Sequence, residues 1–221
     1  MSRLHSRLQS VLFAIALSLP AGASAELLTL ELDPAKTTVQ FGFGATLQHV
    51  TGDLRFQQGS IRFDTDTGAA SGQLVVDATS AKTGVGRRDR KMHQKILESA
   101  RFPKVIFAVD RIDGKLNRNG RNELQLHGML ELHGVRRPAS MPVVATVRGD
   151  RVTASGYLVV PYLEWGMRDP SYLLLRVQKE VRVTVSTAGH LTSAAAPGTP
   201  SPGRSAARGL AIRTSRRRAG R

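Results

Sequence analysis

The sequence contains no cysteine, so disulfide bonds and thiol chemistry are both excluded for this chain. Aromatic residues are few, with one tryptophan, three tyrosines and seven phenylalanines among 221 residues. Long apolar runs are also scarce. The one near the start, residues 11–19, is too short to cross a bilayer core of ~30 Å. We therefore predict no transmembrane segment and a fold that an ordinary hydrophobic core stabilises.

The two ends of the chain differ from the rest in composition. Residues 1–25 combine Arg3 and Arg7 with the apolar run and a small-residue sequence, a pattern typical of a secretory signal peptide cleaved after Ala25. Residues 192–221 are rich in Ala, Pro, Gly, Ser and Arg and contain no acidic residue, which predicts a disordered basic tail. We therefore expect a periplasmic or secreted protein with one folded domain, residues 26–191.

The formal net charge of +15 overstates the charge of the folded domain. Residues 26–191 hold 23 Lys and Arg and all 17 acidic residues, so this domain carries only +6. A nucleic-acid partner would depend on the tail alone, and we expect none.

Short segments of alternating apolar and polar residues run through the domain, with turn residues about every ten positions. The predicted strands are residues 27–33, 37–46, 51–57, 60–64, 71–81, 104–112, 122–133, 141–148, 151–160 and 177–187. The predicted turns between them include Gln58-Gly59, residues 64–68, 117–122 and 134–138, and Gly149-Asp150. Closure removes the free edges of so large an antiparallel sheet. The pattern predicts an all-β fold, an antiparallel barrel.

One short α-helix is predicted, at residues 88–98, and Phe102-Pro103 ends it because proline disfavours helix in the residue before it. A lone amphipathic helix must cap the barrel or lie against its sheet. Asp89 is suited to capping its first turn, although Arg88 and Asp89 could equally form a polar rim at a pocket mouth. Tyr162 and Trp165 belong to a long loop that would either plug the barrel end or line an entrance.

Motifs for catalysis and metal binding are absent. Residues 82–84 match one box of the serine β-lactamases, but the accompanying boxes are missing. His127 and His133 share a strand face but lie ~20 Å apart, which is too far for one metal ion. We therefore predict no catalytic residues, no metal and no cofactor. Asp89 and His93 form the local titratable pair that an enzyme would have to use.

Four blocks of sequence, in this order and spacing, resemble the YceI-like family of secreted, lipocalin-like barrels that bind polyisoprenoids or isoprenoid quinones. The blocks are residues 52–56 with 59–64, residues 78–80 with 83–84 and 88–89, residues 101–107, and residues 128–138. Two places depart from the family pattern. Lys36 to Thr38 stand where a His-Ser pair is frequent, and residues 162–167 have Glu164 in the acidic place without the matching arginine.

Periodicity alone favours a barrel with a filled core. The resemblance implies instead a lipocalin-like barrel with a lipid-holding tunnel. Strand parity predicts the tunnel lining as Phe41, Phe43, Leu54, Phe56, Phe63, Leu74, Val76, Phe107, Leu130 and Leu132. The predicted rim consists of Arg88, Asp89, Tyr162 and Trp165. The expected function is the enclosure of a polyisoprenoid or isoprenoid-quinone chain, without catalysis.

Two alternatives remain open at this point. The first is an enzyme or redox helper that acts on a quinone-like substrate through Asp89 and His93. The second is an interaction protein with a filled core, whose basic tail binds acidic partners or an anionic membrane surface. The oligomeric state is open as well, a homodimer included.

Overall fold

The computed structural model describes residues 26–46, 48–171 and 176–193. The predicted signal peptide and residues 194–221 of the predicted tail lie outside these ranges. The strands are β1 (Leu27–Leu32), β2 (Thr38–Ala45), β3 (Gln48–Asp64), β4 (Ala69–Lys82), β5 (Lys104–Asp113), β6 (Asn119–Leu132), β7 (Val135–Arg148), β8 (Arg151–Val160) and β9 (Val181–Ser193). The helical segments are a 3-10 turn (Pro34–Lys36), α1 (Gly86–Lys91), a π-helical turn (Met92–Ile96) and a second 3-10 turn (Tyr162–Trp165).

The strands form a closed antiparallel barrel, as predicted. Each strand from β3 to β9 is hydrogen-bonded to the next one in sequence. β2 pairs with both β3 and β9 and so completes the ring. β1 and β2 together fill one position. β1 pairs with the end of β3 near Asp64, and β2 pairs with the half of β3 that contains Leu54. The barrel therefore has eight strand positions, a size that can enclose one small ligand.

β3 corrects one predicted turn. The sequence pattern placed a turn at Gln58-Gly59 between two short strands, but β3 runs through without interruption. A register shift against β4 between Phe56 and Gln58 is a β-bulge, which moves the inward face from even to odd positions. Glycine suits position 59, because a Cβ would lie 2.7 Å from Cζ of Phe56 and 2.8 Å from Cδ2 of Leu74 and would push these side chains aside. The switch of the buried side chains of β3 from even to odd positions is thus produced by a bulge and not by a turn.

Two other turns also lie away from their predicted places. β6 begins at Asn119, so Asn119-Gly120 is the start of a strand and the connection from β5 comes before it. The β6–β7 turn is His133-Gly134, whose φ values of 51° and 74° fit a two-residue hairpin. Pro138 therefore lies within β7, on a stretch that pairs with β6 but not with β8, so its missing N–H costs no ladder bond.

The ends of the last strand also differ from the prediction. Val177 forms an isolated bridge to Ala45, and β9 begins only at Val181. β9 then extends to Ser193, two residues beyond the predicted end of the domain.

The end of the barrel that lies away from α1 is filled by apolar side chains. Its buried residues come from β1, β3 and β5 to β9 and include Leu28, Ile61, Phe63, Val109, Leu126, Val143, Val147, Val152 and Leu191. Val147 and Leu28 are almost completely inaccessible, at 1% and 0% exposure. This half is a packed core that holds the barrel closed and forms a floor beneath the other half.

Candidate functional site

The half of the barrel next to α1 is hollow. It contains a cavity of about 490 Å³, within the range of pockets that bind small molecules. We call this cavity the chamber. Its wall is apolar and is built by inward-facing residues of β2 to β9, among them Val39, Val50, Met141, Leu158, Val160, Val181, Val183 and Val185.

Nine of the ten residues predicted as lining contribute to the chamber wall. These nine are Phe41, Phe43, Leu54, Phe56, Leu74, Val76, Phe107, Leu130 and Leu132. The structure places Phe63 elsewhere, in the filled half of the barrel, where it pairs with Leu28 of β1. The tunnel expected from the sequence is therefore a chamber with a floor.

The helical segment after β4 forms one side of the chamber mouth. Met92, Ile96 and Leu97 contribute apolar side chains to the lining, whereas Arg87, Arg88 and Lys91 contribute cations. Met92 and Ile96 are four residues apart and so lie on the same side of the helix. No Asp or Glu belongs to the described lining.

Asp89 fixes this helical segment to the end of β4. Its Oδ1 accepts hydrogen bonds from the Thr83 N–H at 2.9 Å and from the Thr83 hydroxyl, and Arg88 Nε donates to the same hydroxyl oxygen at 2.7 Å. Burial acts to raise the pKa of the Asp89 carboxyl, but the two Thr83 hydrogen bonds and the Arg88 and His93 charges together lower it below its usual value. Asp89 therefore remains ionised and keeps the helical segment attached to Thr83 at the end of β4.

Among the predicted rim residues, Arg88 and Tyr162 line the chamber and Asp89 and Trp165 do not. His93, the other member of the titratable pair, also has structural partners. Its Nδ1 lies 2.8 Å from Ser99 Oγ, and its Nε2 lies 2.8 Å from the Ala81 carbonyl oxygen, which can only accept a hydrogen bond. Both side chains of the pair are thus occupied with anchoring the helical segment.

The wall of the chamber is interrupted between β7 and β8. Their pairing stops at Val143 and Gly156. Residues 135–142 of β7 and residues 157–160 of β8 therefore have no partner on this side. The Tyr162–Trp165 turn covers the β7 side of this gap. Trp165 Nε1 donates to the Leu130 carbonyl oxygen at 3.2 Å, and Arg137 Nε donates to the Glu164 carbonyl oxygen at 2.8 Å. Trp165, only 4% exposed, therefore plugs the wall and does not line the entrance.

Tyr162 has a polar group in an apolar place. Its hydroxyl is buried and has no hydrogen-bond partner among the described residues. Burial raises the pKa of the Tyr162 phenol, and the nearby Asp169 carboxylate adds to the rise, so the hydroxyl stays protonated.

Sequence reasoning missed part of the lining. Leu158, Val160, Val181, Val183 and Val185 follow the same two-residue period as the predicted residues, so extending the parity argument to β8 and β9 would have found them. The helical contribution had a weaker signal, the i, i+4 pair Met92 and Ile96. Met167 lies in irregular structure and had no periodic signal.

Within residues 26–46, 48–171 and 176–193, no helix is long and apolar enough to cross a bilayer. No three His, Asp or Glu side chains there lie close enough together to hold a metal ion.

A closed antiparallel barrel with an apolar chamber at one end defines a class of proteins that enclose small hydrophobic ligands. The chain belongs to the YceI-like family, since the model of the YceI-like domain matches residues 30–188. No curated protein matches the chain.

Several solved structures are similar to this chain in fold, including these three. Burkholderia cenocepacia BcnA is 18% identical with a TM-score of 0.60, and the match covers 71% of this chain and 98% of BcnA. A polyisoprenoid binding domain from Saccharophagus degradans, implicated in plant cell wall breakdown, is 16% identical with a TM-score of 0.57, over 73% and 97% of the two chains. The Campylobacter jejuni YCEI protein is 12% identical with a TM-score of 0.53, over 65% and 86%.

Proposed function

We propose that this protein binds one long apolar chain of the polyisoprenoid type, a polyisoprenoid or isoprenoid quinone, and encloses it in the chamber. The observation that carries the proposal is the contrast between the two halves of the barrel. β3 and β5 to β9 contribute side chains both to a filled core at one end and to an apolar cavity of about 490 Å³ at the other. An apolar cavity of this size leaves its wall without van der Waals partners, so a hydrocarbon that fills it recovers those contacts.

The physical basis of binding is burial of hydrocarbon. Each methylene transferred from water to the chamber contributes ~0.8 kcal/mol, so a prenyl chain binds firmly with few polar contacts. The fold shared with a polyisoprenoid binding domain supports this class of ligand. The polar groups at the mouth would then contact the head of the ligand while the tail fills the chamber.

Binding without catalysis is part of the proposal. Asp89 and His93 already have structural partners, and neither lines the chamber. Periplasmic location is the remaining part, and it depends on the signal-peptide pattern of residues 1–25, which lie outside the described residues.

The test is the lipid content of the purified protein. Organic extraction followed by mass spectrometry should yield one predominant isoprenoid species near equimolar amounts. Val183→Trp places a bulky ring in the chamber and should abolish this lipid, whereas Thr184→Trp, at the next and outward-facing position of β9, should leave it unchanged. A wild-type protein that carries no lipid, and takes up none when offered, would show that the proposal is wrong.

A further inference from the structure

The net charge of the domain lies in one segment. Residues 82–104, which connect β4 to β5 and include α1, contain eight Lys and Arg and only two acids. The rest of the domain, residues 26–81 and 105–193, contains fifteen basic and fifteen acidic residues and is neutral. We call the eight cations of this segment the basic collar: Lys82, Arg87, Arg88, Arg90, Lys91, Lys95, Arg101 and Lys104.

Seven of the eight collar cations are exposed and available to a partner. Arg88 is partly buried and donates hydrogen bonds to Thr83. Within the described residues, none of the eight forms an ion pair with a carboxylate, whereas cations at the opposite end of the barrel do. Arg118, for example, pairs with Glu26 at 3.3 Å, and Arg121 pairs with Glu123 at 3.4 Å. Unpaired like charges repel one another, so the collar is a feature that folding alone does not require.

The collar lies along one side of an apolar opening. Arg87, Arg88 and Lys91 line the chamber mouth together with Val85, which is 49% exposed. Cations combined with an exposed aliphatic side chain suit the boundary between anionic headgroups and acyl chains. Val85 can enter an acyl layer but has no ring on which a nucleic-acid base could stack.

We propose that the basic collar docks the chamber mouth onto an anionic bilayer surface, with Val85 at the headgroup boundary. The cargo then passes between bilayer and chamber without exposing its chain to water. This docking site goes beyond the proposed function, because it concerns the surface from which a ligand is loaded and not which ligand the chamber holds.

The test compares two charge-neutralised variants of the full chain. Arg90→Gln with Lys95→Gln removes two collar cations that do not line the chamber. Arg118→Gln with Arg121→Gln removes the same charge from the opposite end. Binding is measured by co-sedimentation with phosphatidylcholine vesicles, with and without phosphatidylglycerol. Each cation near such a surface contributes roughly fivefold in binding, so the collar variant should lose on the order of 25-fold on anionic vesicles.

The control variant should bind anionic vesicles as the wild type does, and added salt should weaken binding of both. Equal losses in the two variants, or no loss in either, would overturn the proposal, the latter because the predicted tail would then carry the binding. Binding to duplex DNA with the same dependence on Arg90 and Lys95, without vesicle binding, would also overturn it. Lipid extracted from the collar variant should match the wild type, which separates this proposal from the function proposed for the chamber.

Discussion

Val147 and Val183 are both inward-facing valines, but their surroundings differ. Val147 is 1% exposed and surrounded by packed side chains, whereas Val183 faces the chamber. Truncating a packed side chain loses its transfer free energy and leaves a void, while Val183 already lacks neighbours on one side.

We expect Val147→Ala to lower the free energy of unfolding of the lipid-free protein by about 2 kcal/mol, and Val183→Ala by less than about 1 kcal/mol. Urea unfolding of both delipidated variants measures the difference. Equal losses would mean that the chamber collapses onto its own wall when empty.

Asp89 supports a prediction about acid stability. Because its carboxyl has a lowered pKa in the folded protein, its stabilising contribution is present above the unfolded value of about 4 and is lost as the pH falls through the folded value. Asp89→Asn should therefore be less stable than the wild type at neutral pH, and the difference should shrink below about pH 4.

Urea unfolding at several pH values provides the measurement, with the exposed Asp66→Asn as the control. A difference between Asp89→Asn and the wild type that stays constant down to strongly acidic pH would contradict the assigned role of the Thr83 hydrogen bonds.

Parity along a strand placed nine of its ten predicted residues correctly in the chamber wall, because a barrel buries one face of each strand. It could not tell a hollow position from a filled one. Phe63 and Phe56 have the same chemistry and belong to the same strand, yet one lies in the filled half and the other lines the chamber. That difference depends on how side chains from many strands fill the same cross-section, which no local pattern encodes.

The Tyr162–Trp165 turn is a separate part of the chamber wall. It lies where β7 and β8 have separated, and the polar contacts that join it to neighbouring elements involve Arg137, His133 and the Leu130 carbonyl oxygen. Arg137 supplies the hydrogen bond to Glu164, an ion pair at 3.7 Å and a contact over the Trp165 ring.

We expect Arg137→Ala to loosen this turn. A lost hydrogen bond of about 1 kcal/mol raises the population of locally open molecules roughly fivefold. Acrylamide quenching of Trp165, the single tryptophan in the sequence, should increase, and bound lipid should exchange faster.

Arg136→Ala is the matched control, because Arg136 is the preceding residue and pairs with Glu131 instead of the turn. Identical quenching in the two variants would show that Arg137 does not hold the plug.

Elements were predicted better than their boundaries. The strands on either side and the presence of one short helix are confirmed for residues 71–110. The helical segment, however, ends at Ile96, so Phe102-Pro103 is not what ends it. The β3 bulge and the His133-Gly134 turn were missed, because each depends on pairing with a distant strand and not on the residues alone.

The division of the barrel into a filled and a hollow half predicts how the protein unfolds. The filled half should keep the barrel folded without lipid, and bound lipid should add stability in proportion to its affinity and concentration. Calorimetry should show one transition for the delipidated protein and the same transition at a higher temperature after lipid is restored. A delipidated protein without any cooperative transition would contradict this independence.

The floor beneath the chamber has a consequence for traffic. Because residues such as Phe63 and Val147 seal the far end of the barrel, an occupant cannot pass through the barrel from one end to the other and must leave from the half that it entered. A second ligand can therefore bind only after the first has left, so each protein molecule carries one ligand at a time.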